Sequence, residues 1–144
     1  MRHKVTRKSL GHCFFLFGSL MCLTFLSSVA VAGFPDGISQ SATVISQTSA
    51  TLNGLVNPNN ENTTVSFEYS TNFNQGDTGS PPAIIAAGQS PLTGNGYQAV
   101  SADLSDLTPG SRYFFRVVSV NASGRDESPT SEFLTDLIAT VTTD

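Results

Sequence analysis

"LTPGSRYFFRVVSVN", residues 107–121, is the stretch whose reading decides the fold. Pro109-Gly110 is a turn pair. The run that follows alternates: Tyr113, Phe115, Val117 and Ser119 share one face of an extended strand, and Phe114, Arg116, Val118 and Val120 share the other. An antiparallel sandwich must cross from one sheet to the other between its fifth and sixth strands. A tyrosine at that crossing buries its ring in the core and returns its hydroxyl to a backbone group upstream, which locks the corner. In this reading Leu107 fills the core, Pro109 and Gly110 make the turn, and Tyr113 is the anchor.

Outward from this stretch, short β-forming runs are separated by Ser, Thr, Asn, Gly and Pro. "SATVISQ" (41–47) is the expected first strand. "SATLNGLVNP" (49–58) alternates, with Ala50, Leu52, Gly54 and Val56 on one face, and "NPNNEN" (57–62) is dense turn chemistry. "TTVSFEYST" (63–71) has the clearest period of two: Val65, Phe67 and Tyr69 point one way, and Thr64, Ser66, Glu68 and Ser70 the other. Residues 72–96 are too long for a structureless loop, and "AIIAA" (83–87), beside prolines, predicts a short edge strand within them. "YQAVSADLSDL" (97–107) places Val100, Ala102 and Leu104 on one face. "RDES" (125–128) reads as a solvated turn, and "TSEFLT" (130–135) as the last strand. With no internal repeat, the pattern is that of an all-β, two-sheet sandwich of about seven strands.

The N-terminus reads differently. Arg2, Lys4, Arg7 and Lys8 precede an apolar run, Cys13 to Leu26, and Ala30-Val31-Ala32 offers a small-x-small cleavage site with Gly33 as the first mature residue. This is the layout of a secretory signal peptide. The alternative is an uncleaved anchor, since Cys13 to Ala32 is long enough to cross a bilayer. Ser19, Thr24, Ser27 and Ser28 dilute that stretch and favour cleavage. "SLMC", ending at Cys22, lacks the small residue of a lipoprotein signal. The expected organisation is a signal peptide over 1–32, a lead over 33–39, the sandwich over 40–135 and a tail over 136–144.

Residues 33–144 contain no His, Cys, Lys or Trp, because Cys13, Cys22, His3 and His12 all lie in the N-terminal segment. Ser-His and Cys-His pairs, a Schiff-base lysine and a His/Cys metal site are therefore excluded from a mature chain, as is a disulfide. Neither catalytic residues nor a cofactor nor a metal site is expected: no Asp-x-Asp-x-Asp-Gly run occurs, and the acids sit singly rather than as a pair in a cleft. The mature chain sets Arg112, Arg116 and Arg125 against eleven acids, a formal charge of −8. A nucleic-acid partner, which needs a basic footprint, is not expected, nor is an acidic membrane surface. Two glycosylation triplets, Asn62-Thr63-Thr64 and Asn121-Ala122-Ser123, occur in a chain rich in these residues.

The Leu-x-Pro-Gly-x-x-Tyr start and Val-x-Val-Asn-x-x-Gly finish of residues 107–124 resemble the sixth strand of fibronectin type III domains. "VSFEY" resembles their third strand, and "SATLNGLVNPNN" the second strand of the variant common in bacterial secreted proteins. The resemblance covers residues 40–135. It departs from the family where a core tryptophan usually stands, at Gly54, so Phe67, Tyr69, Phe115 or Phe133 is expected to refill the core. "GRD" (124–126) is not the adhesive Arg-Gly-Asp order. The resemblance implies a secreted or cell-envelope module, extracellular or periplasmic, that is not an enzyme. Its expected partner is another protein or a cell-surface component; the alternatives are a carbohydrate- or surface-polymer-binding module and an accessory piece of a larger secreted protein. Phe34, Phe73 and Tyr97 are the loop-side aromatics a sugar site would use. The outward face of the sixth strand, Phe114, Arg116, Val118 and Val120 with Glu68 across from Arg116, is the candidate contact patch, for self-association or for an unlike partner.

Overall fold

Alternation of apolar and polar residues sets which faces of the strands meet. The computed structural model describes residues 31–73 and 81–137, so the residues read as a signal peptide, 1–30 of them, and most of the tail lie outside the described residues. The strands are β1 (Asp36–Thr43), β2 (Ala50–Asn57), β3 (Thr64–Ser70), β4 (Ala83–Ala86), β5 (Gln98–Leu104), β6 (Arg112–Asn121), β7 (Gly124–Glu127) and β8 (Ser131–Leu134). One antiparallel sheet has the order β1-β2-β5; the other runs β4-β3-β6-β7, with β8 also paired to β6. This is a fibronectin type III-like sandwich. Its core is formed by alternate residues of both sheets, among them Leu52, Val56, Val65, Phe67, Val100, Leu104, Tyr113, Phe115, Val117 and Phe133.

Among the described residues eight strands stand where about seven were expected, because the seventh is broken in two. β7 continues the line of β8 along β6: Val118 pairs with Glu127 and Phe115 with Ser131. Between these pairs three residues, 128–130, face two on β6, so one extra residue bulges out at Pro129. The expectation of a turn over "RDES" is thus corrected, since Arg125, Asp126 and Glu127 are strand residues paired with β6. They carry no apolar alternation because this strand is held by backbone pairing and ion pairs. The first strand also starts earlier than expected, at Asp36 rather than Ser41. Ser46 ends it early: its Oγ accepts the N–H groups of Thr48 at 3.2 Å and Ser49 at 3.0 Å, a serine turn that takes residues 45–49 out of the sheet.

Both sides of the sandwich are closed. Beside β1, the Gly37 N–H donates to Asp126 Oδ2 at 2.8 Å, and the hydroxyls of Ser39 and Ser128 meet at 2.7 Å. Beyond β4, the Ala87 N–H reaches Val65 O in one sheet at 3.1 Å, and the next residue, Gly88, donates to Ser101 O in the other at 2.9 Å. Gln89 Oε1 then accepts the Ser101 N–H at 2.8 Å. The segment from 87 to 97, part of the long region between β3 and β5, is tied down further by a reciprocal backbone bridge between Thr63 and Leu92.

At the crossing between β5 and β6, the phenol oxygen of Tyr113 accepts the Thr108 N–H at 3.0 Å. The Tyr113 ring is 8% exposed and stacks on Phe133, with centroids 5.5 Å apart. Leu107 is buried and its N–H donates to Thr48 O at 3.0 Å; Gly110, at φ 64°, supplies the left-handed residue of the turn. A residue the sequence did not single out completes the corner: the Thr135 hydroxyl donates to Thr108 O at 2.7 Å and accepts the Ser111 N–H at 2.9 Å. The aromatics expected to refill the core lie in it: Phe67, Phe115 and Phe133 are buried and Tyr69 packs against them, while the space over Gly54 itself is taken by an aliphatic side chain. A Cβ on Gly54 would lie 2.5 Å from Val117 Cγ2 and 3.0 Å from Ile38 O, so Val117 already fills that space.

Two outcomes follow. Tyr113→Phe leaves the Thr108 N–H without its partner and should lower unfolding free energy by about 1–3 kcal/mol in urea titrations. Gly54→Ala should cost about 1–3 kcal/mol through overpacking, and combining it with Val117→Ala should cost less than the sum of the two single changes. Additive costs would show that Val117 does not fill the space over Gly54.

Candidate functional site

The register of β3 against β6 sets Glu68 directly opposite Arg116 on the outer face of the larger sheet. Arg116 Nε and Nη2 donate to Glu68 Oε2 at 2.9 and 2.7 Å. From β7, Arg125 Nη2 donates to Glu68 Oε1 at 2.8 Å and its Nε to Glu127 Oε1 at 2.8 Å. Arg116 Nη1 closes the network on Glu127 Oε2, and the Arg116 guanidinium lies over the Phe73 ring, 4.9 Å from its centroid.

This network overturns the expectation of an exposed contact patch on that face. Glu68 is 6% exposed and Val118 1%. Phe114 and Arg116 are half-buried, and Val120 is the exposed member at 37%. The physical reason is β7: read as a solvated turn, it left the face open, but as a strand it brings Arg125 and Glu127 beside Val118 and Val120. Glu68 is therefore not half of a loose surface pair worth a fraction of a kcal/mol. Its burial pushes the carboxyl pKa up, but hydrogen bonds from Arg116 and Arg125 and their charges more than offset this, and the pKa falls below the ordinary 4.5. Arg125 is held above its ordinary value by its hydrogen bonds to Glu68 and Glu127.

The outer face of the smaller sheet is arranged in rows across β1, β2 and β5. Ile38, Leu55 and Ala99 form an apolar row, and Gln40, Asn53 and Ser101 a polar one. The polar row borders an open groove of about 510 Å³, lined also by Ser41, Thr43 and Gln89. Asn53 Nδ2 is turned toward Ser41 O and Thr43 Oγ1, both at 3.0 Å, and Gln89 Nε2 donates to Ser101 Oγ at 3.1 Å. The groove thus has preset amides and hydroxyls beside an apolar strip in which Ile38 is 41% exposed. The sequence signal for it was present in the outward positions of β1, β2 and β5, but polar alternation on a solvent face looks the same whether or not it forms a groove.

The loop-side aromatics serve the fold. Phe73 covers Arg116, the Phe34 ring packs on Gly124, and Tyr97, 48% exposed, donates its hydroxyl to Asp36, which holds the phenol pKa above 10. Of the two glycosylation triplets, Asn62 is exposed, whereas Asn121 is engaged: its Nδ2 donates to Gly33 O at 2.8 Å and its Oδ1 accepts the N–H groups of Ser123 and Gly124. Among the described residues, no three His, Cys, Asp or Glu side chains converge as metal ligands would, and no helix is long and apolar enough to cross a membrane.

No family model and no curated protein matches the chain. Among solved structures, the chain is similar to the sensor domain of the anti-sigma factor RsgI4 in Pseudobacteroides cellulosolvens, with 22% identity, covering 72% of this chain and 96% of that one at a TM-score of 0.49. It is also similar to the fibronectin type-III domain of human fibronectin type III domain containing protein 3, with 19% identity, covering 77% of this chain and 94% of that one at a TM-score of 0.49. At these identities the likeness is one of fold.

Glu68→Gln should lower stability by about 1.5–3 kcal/mol at pH 7, as charged hydrogen bonds are lost. With a folded pKa below 4.5, the carboxylate's contribution is fully present above that value and disappears as pH falls through the folded pKa. The gap between wild type and Glu68→Gln, measured by thermal unfolding from pH 7 to pH 2.5, should therefore narrow only below about pH 4.5. A gap independent of pH would assign the loss to packing.

Proposed function

We propose that this protein is a non-catalytic, secreted or cell-envelope interaction and scaffolding module, and that it meets its partner through the outer face of the β1-β2-β5 sheet. The observation that carries this is the contrast between the two outer faces. One is crossed by the charged Glu68-Arg116-Arg125-Glu127 network, with Ile84, Val120 and Leu134 exposed around it. The other presents the groove of Gln40, Asn53 and Ser101 beside an exposed apolar row. A mixed patch of apolar area and preset polar groups is what transient recognition uses.

The path of the chain supports the scaffolding part. Gly33 enters beside Asn59 and Asn121, at the pole of the β2–β3 and β6–β7 turns. Asp136 lies at the opposite pole, its N–H donating to Ser46 O in the β1–β2 turn and its carbonyl accepting from Gly110. Entry and exit at opposite poles let such a unit act as a spacer in series. The non-catalytic reading is supported by the residue inventory of 33–144, which lacks His, Cys, Lys and Trp.

A second reading, binding of a neutral carbohydrate or surface polymer, is favoured by the groove's lining of two glutamines, an asparagine and hydroxyls. Such groups hydrogen-bond hydroxyl-rich ligands without an ionic contribution. The test is affinity electrophoresis and calorimetry of residues 33–144 against envelope polysaccharides and envelope proteins. Filling the groove with Gln40→Arg/Ser101→Arg should weaken binding at least tenfold, while Phe114→Ser should leave it unchanged. The opposite pattern would move the interface to the larger sheet. Binding to polysaccharide alone would establish the second reading, and binding to a protein alone the first.

A further inference from the structure

The residues just after the expected cleavage site are built into the domain. The Gly33 N–H donates to Asn59 O at 3.1 Å, and Gly33 O accepts from Asn121 Nδ2 at 2.8 Å. Phe34 O accepts from Asn59 Nδ2 at 2.6 Å. The Phe34 ring lies so close on Gly124 that a Cβ there would overlap it. Pro35 is buried, and Asp36 opens β1. The backbones of Gly33 and Phe34 are thus held by two turns, 57–60 and 121–124, that are far away in sequence, while Phe34 itself stays 64% exposed. On the other side of the bond, Val31 is 80% exposed and Ala32 is exposed. The boundary between free and docked chain falls at Ala32–Gly33, the bond that the small-x-small pattern marks for cleavage.

We infer that Asn59, Asn121 and Gly124 form a receptor for the chain's own new N-terminus, Gly33-Phe34-Pro35, and that its occupation shields the Ala32–Gly33 bond from the processing peptidase. The inference rests on the signal-peptide reading. A peptidase needs the residues on both sides of the scissile bond as free, extended chain. In the folded domain the amide and carbonyl of Gly33 and the carbonyl of Phe34 are already hydrogen-bonded elsewhere. Cleavage therefore precedes docking of β1, and a chain that folds first is cut slowly. Hydrolysis of the bond adds water across it and leaves the Ala32 carboxylate and the Gly33 α-amino group. That group is an ammonium in neutral solution and makes a stronger, charge-assisted hydrogen bond to Asn59 O than the peptide N–H did. Processing so tightens the contact that opposes it, which makes the step effectively one-way.

The experiment is cleavage of the folded full chain, in detergent, by a purified signal peptidase. The variants are Asn59→Gly and Gly124→Ala, neither of which alters the cleaved sequence. Asn59 sits at φ 50°, so glycine keeps its backbone and removes the side-chain bond to Phe34 O; Gly124→Ala displaces the Phe34 ring and also strains a backbone at φ 153°, so Asn59→Gly is the cleaner of the two. A peptide of residues 20–44, which lacks the receptor, gives the unshielded rate. Wild type should be cut at least tenfold more slowly than the peptide, and both variants should approach the peptide's rate while retaining the wild-type circular dichroism of the sandwich. A folded wild type cut as fast as the peptide, or folded variants cut as slowly as wild type, would overturn the shielding. A peptide that is not cut between Ala32 and Gly33 would overturn the signal-peptide reading instead.

Discussion

The backbone of Thr108 is held from both sides. Its N–H goes to the Tyr113 phenol and its carbonyl to the Thr135 hydroxyl. Each bond alone contributes on the order of 1 kcal/mol, but together they fix the second crossing from the smaller sheet to the larger, between β5 and β6. What they position is β6, the strand that pairs with β3, β7 and β8 and supplies Tyr113, Phe115 and Val117 to the core. If the corner loosened, the stack of Tyr113 on Phe133 and the edge contact of Phe133 with Phe115 would lose their common anchor. The first turn of the sandwich is tied to the same point through Leu107 and Thr48.

A sandwich has two open sides as well as two ends, and each open side exposes unpaired backbone that invites other chains. Here the sides are closed with short polar contacts. Asp126 and Ser128 reach across to β1, and residues 87–89 bridge Val65 to Ser101. These closures stand where a secreted domain of this size often uses a disulfide. They also explain why β7 needs so little apolar content: at a sheet edge, pairing and bridging replace burial.

The parts of the fold legible in the sequence are those where burial and periodicity coincide. β2, β3, β5 and β6 alternate cleanly, and the corner has its Leu, Pro, Gly and Tyr at the required spacing. The edge strand within 72–96 was legible from "AIIAA" between turn residues. What was not legible depends on partners distant in sequence. Arg125-Asp126-Glu127 carries only charges and becomes a strand because β6 lies beside it. Thr135 looks like any strand-end threonine until Ser111 and Thr108 are brought to it. On the outer face of β6 the pairing of Arg116 with Glu68 was legible from the register of alternate residues, whereas Arg125 and Glu127, which complete the network, come from β7. The groove on the other sheet was hidden for a related reason, since solvent-facing Gln, Asn and Ser are the default surface of any antiparallel sheet.

The charge distribution bears on what could approach this molecule. All three arginines of residues 33–144 are engaged: Arg116 and Arg125 with Glu68 and Glu127, and Arg112 with Glu132 at 2.7 Å. Every one of these pairs lies on the larger sheet. The smaller sheet has no cation in its strands, and carries Asp36 and Asp103 at opposite ends of its outer rows. In the proposed reading, recognition on that face is by neutral groups within a negative field. A polyanion is repelled before it reaches the groove, whereas an uncharged polymer or a cationic protein edge is not. The arginine network on one face thus also sets the chemistry open to the other, by withdrawing the cations of residues 33–144 to the far side of the sandwich.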